Sequence, residues 1–378
     1  MQVTNIRTTR GRGRVRLDAK ITIEKTAKEF HVFYDFPGCF WFDLSLNSGD
    51  PLLALTLLPA MVLDESLAIE APISYRLSEN LSHLQDVFST MNPGWSEIPI
   101  QAPIKRFRPS FFRPKMKRGL FFSLGVDSFY SLKKLLEEDN PQKLSHLILV
   151  HGLDIFYQKK NHGLFTEVLD HARQVAGEYD LQVLDVVTNM RDFSDHFVNW
   201  ETQYGCGTFS VGLALQRGFE TLYLASGLSI FYDGFIAYGS GPLITPHWST
   251  ERTVFMQHGG GAERQDKINA INDFPAAMKH LRVCWENPGN AYNCGQCEKC
   301  LRTMIGLEIS GGLKSCHSLP EEIPMVDLDR ICIKNPTTVH IYQRLIDDLK
   351  RIQDQSDHTT KIIHILDQKI QDYIQNKT

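Results

Sequence analysis

The chain has 378 residues, of which 42% are hydrophobic and 22% charged, and its formal net charge is −4 at pH 7. This composition is ordinary for a globular protein with room for two domains, and the negative charge argues against a surface that coats nucleic acid. No apolar run reaches the length of a transmembrane helix, and the arginine-rich start lacks the apolar core of a signal peptide. We therefore expect a cytoplasmic protein without a membrane partner.

Residues 1–115 are predicted to form a strand-rich α+β accessory domain. Apolar and polar residues alternate over 15–23 and 30–34, as in half-buried strands, and 81–91 has the spacing of a short amphipathic helix. The apolar segment 52–58 could be a core element of either type. Because no catalytic constellation is found here, we expect this domain to recognise or dock a protein partner.

Two basic stretches flank this domain. The first is a series of arginines near the start of the chain: Arg7, Arg10, Arg12, Arg14 and Arg16. The second, over 105–118, interleaves lysines and arginines with phenylalanines and contains no acid. Such stretches could bind nucleic acid or another polyanion. A solvated linker is the favoured interpretation, because isolated basic runs are common.

The stretch 119–129 changes from strand to helix through a small polar loop. Backbone N–H groups and the positive end of a helix dipole converge at such a loop and can bind phosphate. Ser123 and Ser128 add hydroxyl donors, Gly125 permits close approach, and Asp127 can hold Mg²⁺ or orient the turn. The loop lacks the G-x-x-x-x-G-K-S/T pattern of a Walker A loop. An ordinary βα turn is the alternative.

From residue 119 onward, strands and helices are predicted to alternate. The predicted strands are 119–124, 146–151, 182–187, 221–226 and 281–285, and the predicted helices are 127–138, 162–177, 207–217 and 264–279. This order predicts an α/β fold for residues 116–315: a Rossmann-like parallel sheet with helices on both faces. Ligands of such sheets bind at the carboxyl ends of the strands, so residues 151–154, Thr188, Asn189, Ser226 and Gly227 are expected beside the polar loop. His151 is the most conspicuous of them, although a lone histidine at a strand end is more often structural than catalytic.

Two further segments have a distinct character. Residues 232–261 are irregular and rich in Gly, Pro and aromatic residues, as lids and acceptor pockets often are, although His247 and Trp248 could equally form a packed corner. Residues 316–378 are predicted to be a helical extension that ends in two amphipathic helices. These helices could pack on the sheet or against a second copy in a homodimer, and packing on the sheet is favoured.

Four of the eight cysteines have the spacing C-x9-C-x2-C-x2-C: Cys284, Cys294, Cys297 and Cys300. Two short gaps allow backbone turns to bring three thiolates to one centre, and four sulfur ligands with no open position are typical of structural zinc. An iron–sulfur cluster is the chemical rival. The other four, Cys39, Cys206, Cys316 and Cys332, are predicted to be buried apolar residues.

The polar loop resembles the S-G-G-x-D-S loop of the PP-loop ATP pyrophosphatases, with Leu124 where that superfamily usually has its first glycine. Together with the four cysteines, it resembles the 7-cyano-7-deazaguanine synthase (QueC-like) family over most of 119–312. The segments 154–158 and 265–268, and Arg302 after the last cysteine, also match positions in that family. The extra residues at both ends are closer to the enlarged QatC-type branch found in anti-phage defence operons.

The resemblance implies an AMP-forming C–N ligase that adenylates a carboxylate, with a 7-deazaguanine as the expected substrate. It joins this carboxylate to ammonia or to an amine, which in a defence system could belong to a protein partner. It implies ATP, Mg²⁺ and Zn²⁺ as cofactors. The residues expected around ATP are Ser123, Leu124, Gly125, Val126, Asp127 and Ser128. Those expected to act in catalysis are Asp127, Ser128, Lys267 and Arg302. Two alternatives are a nucleotide-binding sensor or scaffold without turnover, and a PP-loop enzyme that modifies tRNA or DNA.

Overall fold

The computed structural model describes residues 1–105, 116–140, 142–229, 239–333, 336–352 and 356–375. The strands within these ranges are β1 (Gln2–Gly11), β2 (Arg14–Thr22), β3 (Glu29–Pro37), β4 (Leu67–Ile69), β5 (Ile73–Ser74), β6 (Ile100–Gln101), β7 (Ile104–Lys105), β8 (Lys117–Phe121), β9 (His146–His151), β10 (Gln182–Thr188), β11 (Phe219–Ala225) and β12 (Val254–His258).

The α-helices within the same ranges are α1 (Asp50–Leu63), α2 (Tyr75–Met91), α3 (Val126–Glu137), α4 (His162–Glu178), α5 (Arg191–Ser194), α6 (Trp200–Ala214), α7 (Arg264–Ile271), α8 (Pro275–His280), α9 (Glu298–Ile309), α10 (Pro336–Arg351) and α11 (Asp357–Gln375).

One ten-stranded sheet has the order β12-β11-β8-β9-β10-β3-β2-β1-β4-β6. Its first five strands are all parallel. Among these five strands, β8 comes first in the chain and lies in the centre. β9 and β10 follow on one side of it, and β11 and β12 then lie on the other side. The strand order therefore reverses between β8 and β11, and open α/β sheets bind ligands at such a switch point.

The N-terminal strands extend this same sheet. β3 pairs antiparallel with β10, opposing Tyr34 to Thr188. The Arg14 side chain bridges the junction, with Nε 2.5 Å from Asp35 Oδ1 and Nη1 2.6 Å from Asp185 Oδ2. No break in the sheet separates the predicted accessory domain from the parallel strands β8–β12, and the boundary at residue 115 stays a prediction.

Helices cover both faces of the sheet, as the alternating pattern predicts. On β9, Leu147 and Leu149 face one hydrophobic cluster, which includes residues of α3, α4 and α9, whereas Ile148 faces the other, which includes α1 and α6. The ambiguous segment 52–58 lies inside α1, whose residues are buried almost all round because the helix packs between the sheet and α6. The fold is thus mixed α/β with a large, mostly parallel central sheet flanked by helices.

Two predicted elements were wrong. Residues 281–285 form no strand; the backbone N–H of Arg282 instead donates to Leu124 O at 2.9 Å, and the fifth parallel strand is β12, inside the segment predicted to be irregular. The single helix predicted over 264–279 is divided into α7 and α8. Pro275 begins α8, and the residue before a proline disfavours helical geometry, so Phe274 is extended.

The C-terminal helices pack on the core, as expected. The Tyr342 hydroxyl of α10 donates to Glu298 Oε1 of α9 at 2.5 Å, and Ile362, Leu366 and Ile370 of α11 are buried. A homodimer remains a prediction. Among the described residues, no helix combines the length and the apolar character needed to cross a membrane.

We expect Leu57→Ala to destabilise the whole sheet rather than the N-terminal part alone. Leu57 is fully buried in α1, and truncating a core leucine costs about 2–5 kcal/mol of unfolding free energy. Urea unfolding followed by circular dichroism should show one transition shifted to lower urea. The control, Leu243→Ala, removes a side chain that is 50% exposed and should change stability by about 0.5 kcal/mol or less. Two separate transitions, only one of them shifted, would contradict the continuous core.

Candidate functional site

The polar loop joins β8 to α3 at the switch point of the sheet. The Gly125 N–H donates to Ser123 Oγ at 3.4 Å, and the Ser128 hydroxyl donates to Gly125 O at 3.0 Å, which closes a compact turn. Gly125 is the N-cap of α3 and provides no side chain to cap its first turn. The N-terminal N–H groups of this helix are therefore available to an anion, and the helix dipole favours one there.

Leu124 adopts the left-handed backbone conformation, with φ of 60°. This conformation costs a non-glycine residue about 1–2 kcal/mol, which explains why a glycine is expected at this point of the turn. The leucine side chain is fully buried in the same hydrophobic cluster as Phe122 and Phe129. Burial of a leucine contributes about 1.5–3 kcal/mol and offsets the backbone cost. Because the side chain lies in the core, it does not block the solvent side of the turn.

Asp127, in the first turn of α3, lies between two cations of α7. Its Oδ1 is 3.1 Å from Lys267 Nζ, and its Oδ2 is 3.4 Å from Arg264 Nη1. Lys267 is fully buried, and its ammonium also donates to the carbonyl of Ser226, which follows β11. Arg264 donates in addition to Thr303 Oγ1 at 3.0 Å. Asp127, Lys267 and Arg264 thus connect the segments that follow β8 and β11, the two strands that border the switch point.

Electrostatics keep the Asp127 carboxylate ionised. Burial alone would raise its pKa, but the charges of Lys267 and Arg264 outweigh burial and hold the pKa below its usual value. Burial lowers the pKa of the Arg264 guanidinium, which nevertheless stays charged at neutral pH. One carboxylate thus faces two cations, which leaves a net positive site.

More cations surround this group. Arg302 of α9 lies 3.5 Å from Glu298 Oε1, and its charge is coupled to that of Arg264. Lys299 and Arg282 lie on the segment that carries the cysteines. The Nε–H donors of Arg264, Arg282 and Arg302 are all buried and have no hydrogen-bond acceptor among the described residues. Positive charge and unused donors together describe a site for a polyanion.

Other residues expected at this edge of the sheet have structural roles. His151 is buried, stacks on Phe165 at 4.3 Å between ring centroids, and has its pKa lowered by burial to about 4, so it is neutral. The Asn189 side chain bonds the backbone of β3 rather than facing a ligand. Trp248 stacks on Phe209 inside the core and His247 contacts His83, which makes this corner a packed one.

Two predicted segments lie partly outside the described residues. The first part of the segment predicted as a lid falls within 230–238, and most of the second basic stretch falls within 106–115.

The four predicted metal ligands come together. The sulfur atoms of Cys284, Cys294, Cys297 and Cys300, called here the cysteine cluster, all lie within 4.8 Å of one another. Two of the pairs are 3.8 and 3.9 Å apart. A tetrahedral ion with Zn–S bonds of about 2.3 Å separates its sulfurs by about 3.8 Å. The spacing therefore fits a single metal ion such as zinc and is too small to enclose a multi-iron cluster.

Backbone N–H groups donate to two of these sulfurs. The N–H groups of Asn287 and Cys297 donate to Cys284 Sγ and Cys294 Sγ, both at 3.2 Å. Hydrogen bonds from Cys297 and then Cys300 hold the pKa of the Cys284 thiol well below its ordinary value. Among the remaining cysteines, Cys206 and Cys316 are buried as predicted, whereas Cys39 and Cys332 are exposed, so the expectation of burial was wrong for these two.

Sequence reasoning missed Arg264, Arg282 and Lys299. Arg264 precedes Lys267 by three residues, so one helical turn places both on one face, and that spacing was an available signal. Arg282 and Lys299 lie two residues before the first cysteine and directly before the last. No family model, curated protein or solved structure matches this chain.

Replacing Leu124 by glycine and by alanine separates backbone strain from burial. Both changes remove the buried side chain, but only glycine adopts a φ of 60° without steric cost. We expect Leu124→Gly to be more stable than Leu124→Ala by about 1 kcal/mol, the reverse of the usual order. Urea unfolding of the two variants measures this difference. Greater stability of the alanine variant would contradict the left-handed turn.

Metal content tests the cysteine cluster. We expect one metal ion per chain by inductively coupled plasma mass spectrometry, and Cys297→Ser should reduce this to nearly zero because a four-sulfur site is incomplete with three. Cys39→Ser, which changes an exposed cysteine outside the cluster, should retain the full metal content. Equal metal content in both variants would exclude this site.

Proposed function

We propose that the protein is an AMP-forming ligase of the PP-loop type, which adenylates a carboxylate with ATP and joins it to ammonia or an amine. The observation that carries the proposal is Asp127, held by Lys267 and Arg264 in the first turn of α3 at the switch point of a parallel sheet. A triphosphate bound over the 123–128 turn would meet uncapped helix N–H groups on one side and this cationic group on the other.

The chemistry consists of two displacements. A carboxylate oxygen of the substrate attacks the α-phosphorus of ATP, the bond to the bridging oxygen breaks, and pyrophosphate leaves. The nitrogen of ammonia or an amine then attacks the acyl carbon, AMP leaves with the bonding pair, and the nitrogen loses a proton. Both steps shift negative charge onto phosphate oxygens, so positioned cations such as Lys267 and Arg302 would stabilise the transition states. Ser123 and Ser128 would contribute hydroxyl donors to the phosphates.

Asp127 is better suited to ordering the cations than to binding metal. Both of its oxygens already face cations, whereas Mg²⁺ prefers carboxylates free to coordinate it. Mg²⁺ would therefore arrive bound to the phosphates of ATP. The exposed carboxylate of Asp154, coupled electrostatically to Lys299 and Arg282, is the acid best placed to accompany it.

The acceptor is proposed from the resemblance of the motifs. A 7-deazaguanine carboxylate is the small-molecule candidate, and in a QatC-type defence role the amine would come from a protein partner in the cytoplasm. The N-terminal part of the chain would dock that protein, because its strands continue the sheet that carries the nucleotide site. Cys284, Cys294, Cys297 and Cys300 would hold zinc as a structural ion beside the site.

Asp127→Asn should reduce pyrophosphate release on the order of 100-fold or more, because the two cations lose the charge that positions them. The variant should also lose about 3–5 kcal/mol of stability, since Lys267 stays buried without a counter-charge. Pyrophosphate release should therefore be assayed well below the melting temperature found by circular dichroism. Asp273→Asn, which removes a carboxylate that is 77% exposed, serves as the control. Undiminished release by the folded Asp127 variant would refute the assignment.

A nucleotide sensor without turnover is the second candidate, favoured by Leu124 in place of glycine. Isothermal titration with ATP, followed by an assay for AMP, distinguishes the two functions. Binding with no AMP formed in the presence of candidate carboxylates and amines supports the sensor. AMP formation supports the ligase.

A further inference from the structure

Two cations beside the site lack a carboxylate partner. Arg282 is only 6% exposed and Lys299 is partly buried, yet neither has an acid within ion-pair distance among the described residues. The neighbouring acids are already engaged or exposed: Asp127 faces Lys267 and Arg264, Glu298 faces Arg302, and Asp154 is exposed. Positive charge is therefore left over at this point.

The Arg282 guanidinium has unused hydrogen-bonding capacity. Its Nη2 donates to Asn287 Oδ1 at 3.0 Å, while its Nε–H is buried with no acceptor in the described part of the chain. An arginine side chain does not lose its proton in a protein, and burying its charge without a counter-ion is costly. A bound anion would satisfy both the charge and the donor.

The cysteine cluster holds both cations in place. The Asn287 side chain accepts from Arg282 while the Asn287 backbone donates to Cys284 Sγ, so this arginine is joined to a metal ligand through one residue. Lys299 lies between Cys297 and Cys300 in the sequence, at the start of α9.

The segment that carries Arg282 also contacts the 123–128 turn. The backbone N–H of Arg282 donates to Leu124 O at 2.9 Å. The charge of Lys299 is coupled to those of Asp127 and Arg264. Phosphate is therefore the anion that these two cations are placed to meet.

We propose that Arg282 and Lys299 form a phosphate-binding subsite that the cysteine cluster presents to the 123–128 turn, so that metal binding pre-organises phosphate binding. That this phosphate belongs to ATP rests on the proposed function; the subsite itself requires only phosphate chemistry. The metal ion then has a role beyond stability, because it would hold the two segments that carry these cations.

Isothermal titration with inorganic pyrophosphate, without Mg²⁺, tests the subsite in the full-length, metal-loaded protein. Arg282→Gln and Lys299→Gln should each weaken binding about tenfold or more, as expected for lost charge-assisted hydrogen bonds. Arg282→Lys, which keeps the charge, should lose less. Lys279→Gln removes an exposed lysine of α8 and should bind like the unaltered protein. Protein freed of metal by a chelator should bind at least as weakly as the Arg282→Gln and Lys299→Gln variants.

Metal content and circular dichroism establish that each variant is folded. For a variant that is poorly stable, the rise in melting temperature caused by pyrophosphate replaces titration and should shrink relative to Lys279→Gln. Wild-type affinity in folded, metal-loaded Arg282→Gln and Lys299→Gln overturns the subsite, and wild-type affinity in the metal-free protein overturns its dependence on metal.

The two proposals fail in different ways. Pyrophosphate binding that depends on both cations, without AMP formation, leaves the subsite standing and rejects the ligase. AMP formation together with unchanged pyrophosphate binding in the variants supports the ligase and rejects the subsite.

Discussion

The contact between Asp127 and the two cations of α7 is the constraint on which the site depends. A fully buried lysine requires a counter-charge, and a carboxylate in the first turn of a helix is itself favoured by the helix dipole. Asp127 meets both demands at once. It thereby ties α3 to α7 and, through the bond from Lys267 to the Ser226 carbonyl, to the end of β11. The positive charge that remains lies at the switch point of the sheet, where it would favour an anion.

The sheet explains why the site lies there. With β9 and β10 on one side of β8 and β11 and β12 on the other, the connections after β8 and β11 separate and leave a crevice. The antiparallel N-terminal strands lengthen the sheet beyond β10, so that this part of the molecule shares a core with the parallel strands. A partner protein bound to these strands would contact the same sheet that carries the site.

The cysteine cluster is the second feature that positions cations near the site. Structural metal sites are usually considered only for the stability that they add. Here the same short segments supply Arg282, whose backbone contacts Leu124, and Lys299 and Arg302, whose charges are coupled to that of Arg264. A metal-centred scaffold can hold like charges close together in a way that a flexible loop cannot, because ligand bonds fix the backbone against their repulsion.

The sequence by itself determined the features that depend on local spacing. Alternation of apolar runs predicted the α/β fold and most of its elements, the C-x9-C-x2-C-x2-C spacing predicted a metal site, and a strand–turn–helix with Asp127 located the crevice. It did not determine which cations lie near that crevice, because Arg264, Arg282 and Lys299 lie up to 172 residues from Asp127 along the chain and approach its turn only when α7 and the cysteine cluster fold onto α3. Nor did it show that β12, and not 281–285, is the fifth strand, since both segments are short and apolar and only pairing with β11 distinguishes them. Leu124 makes the same point: its identity argued against the turn, and only the packed core explains how a leucine is retained at a left-handed position.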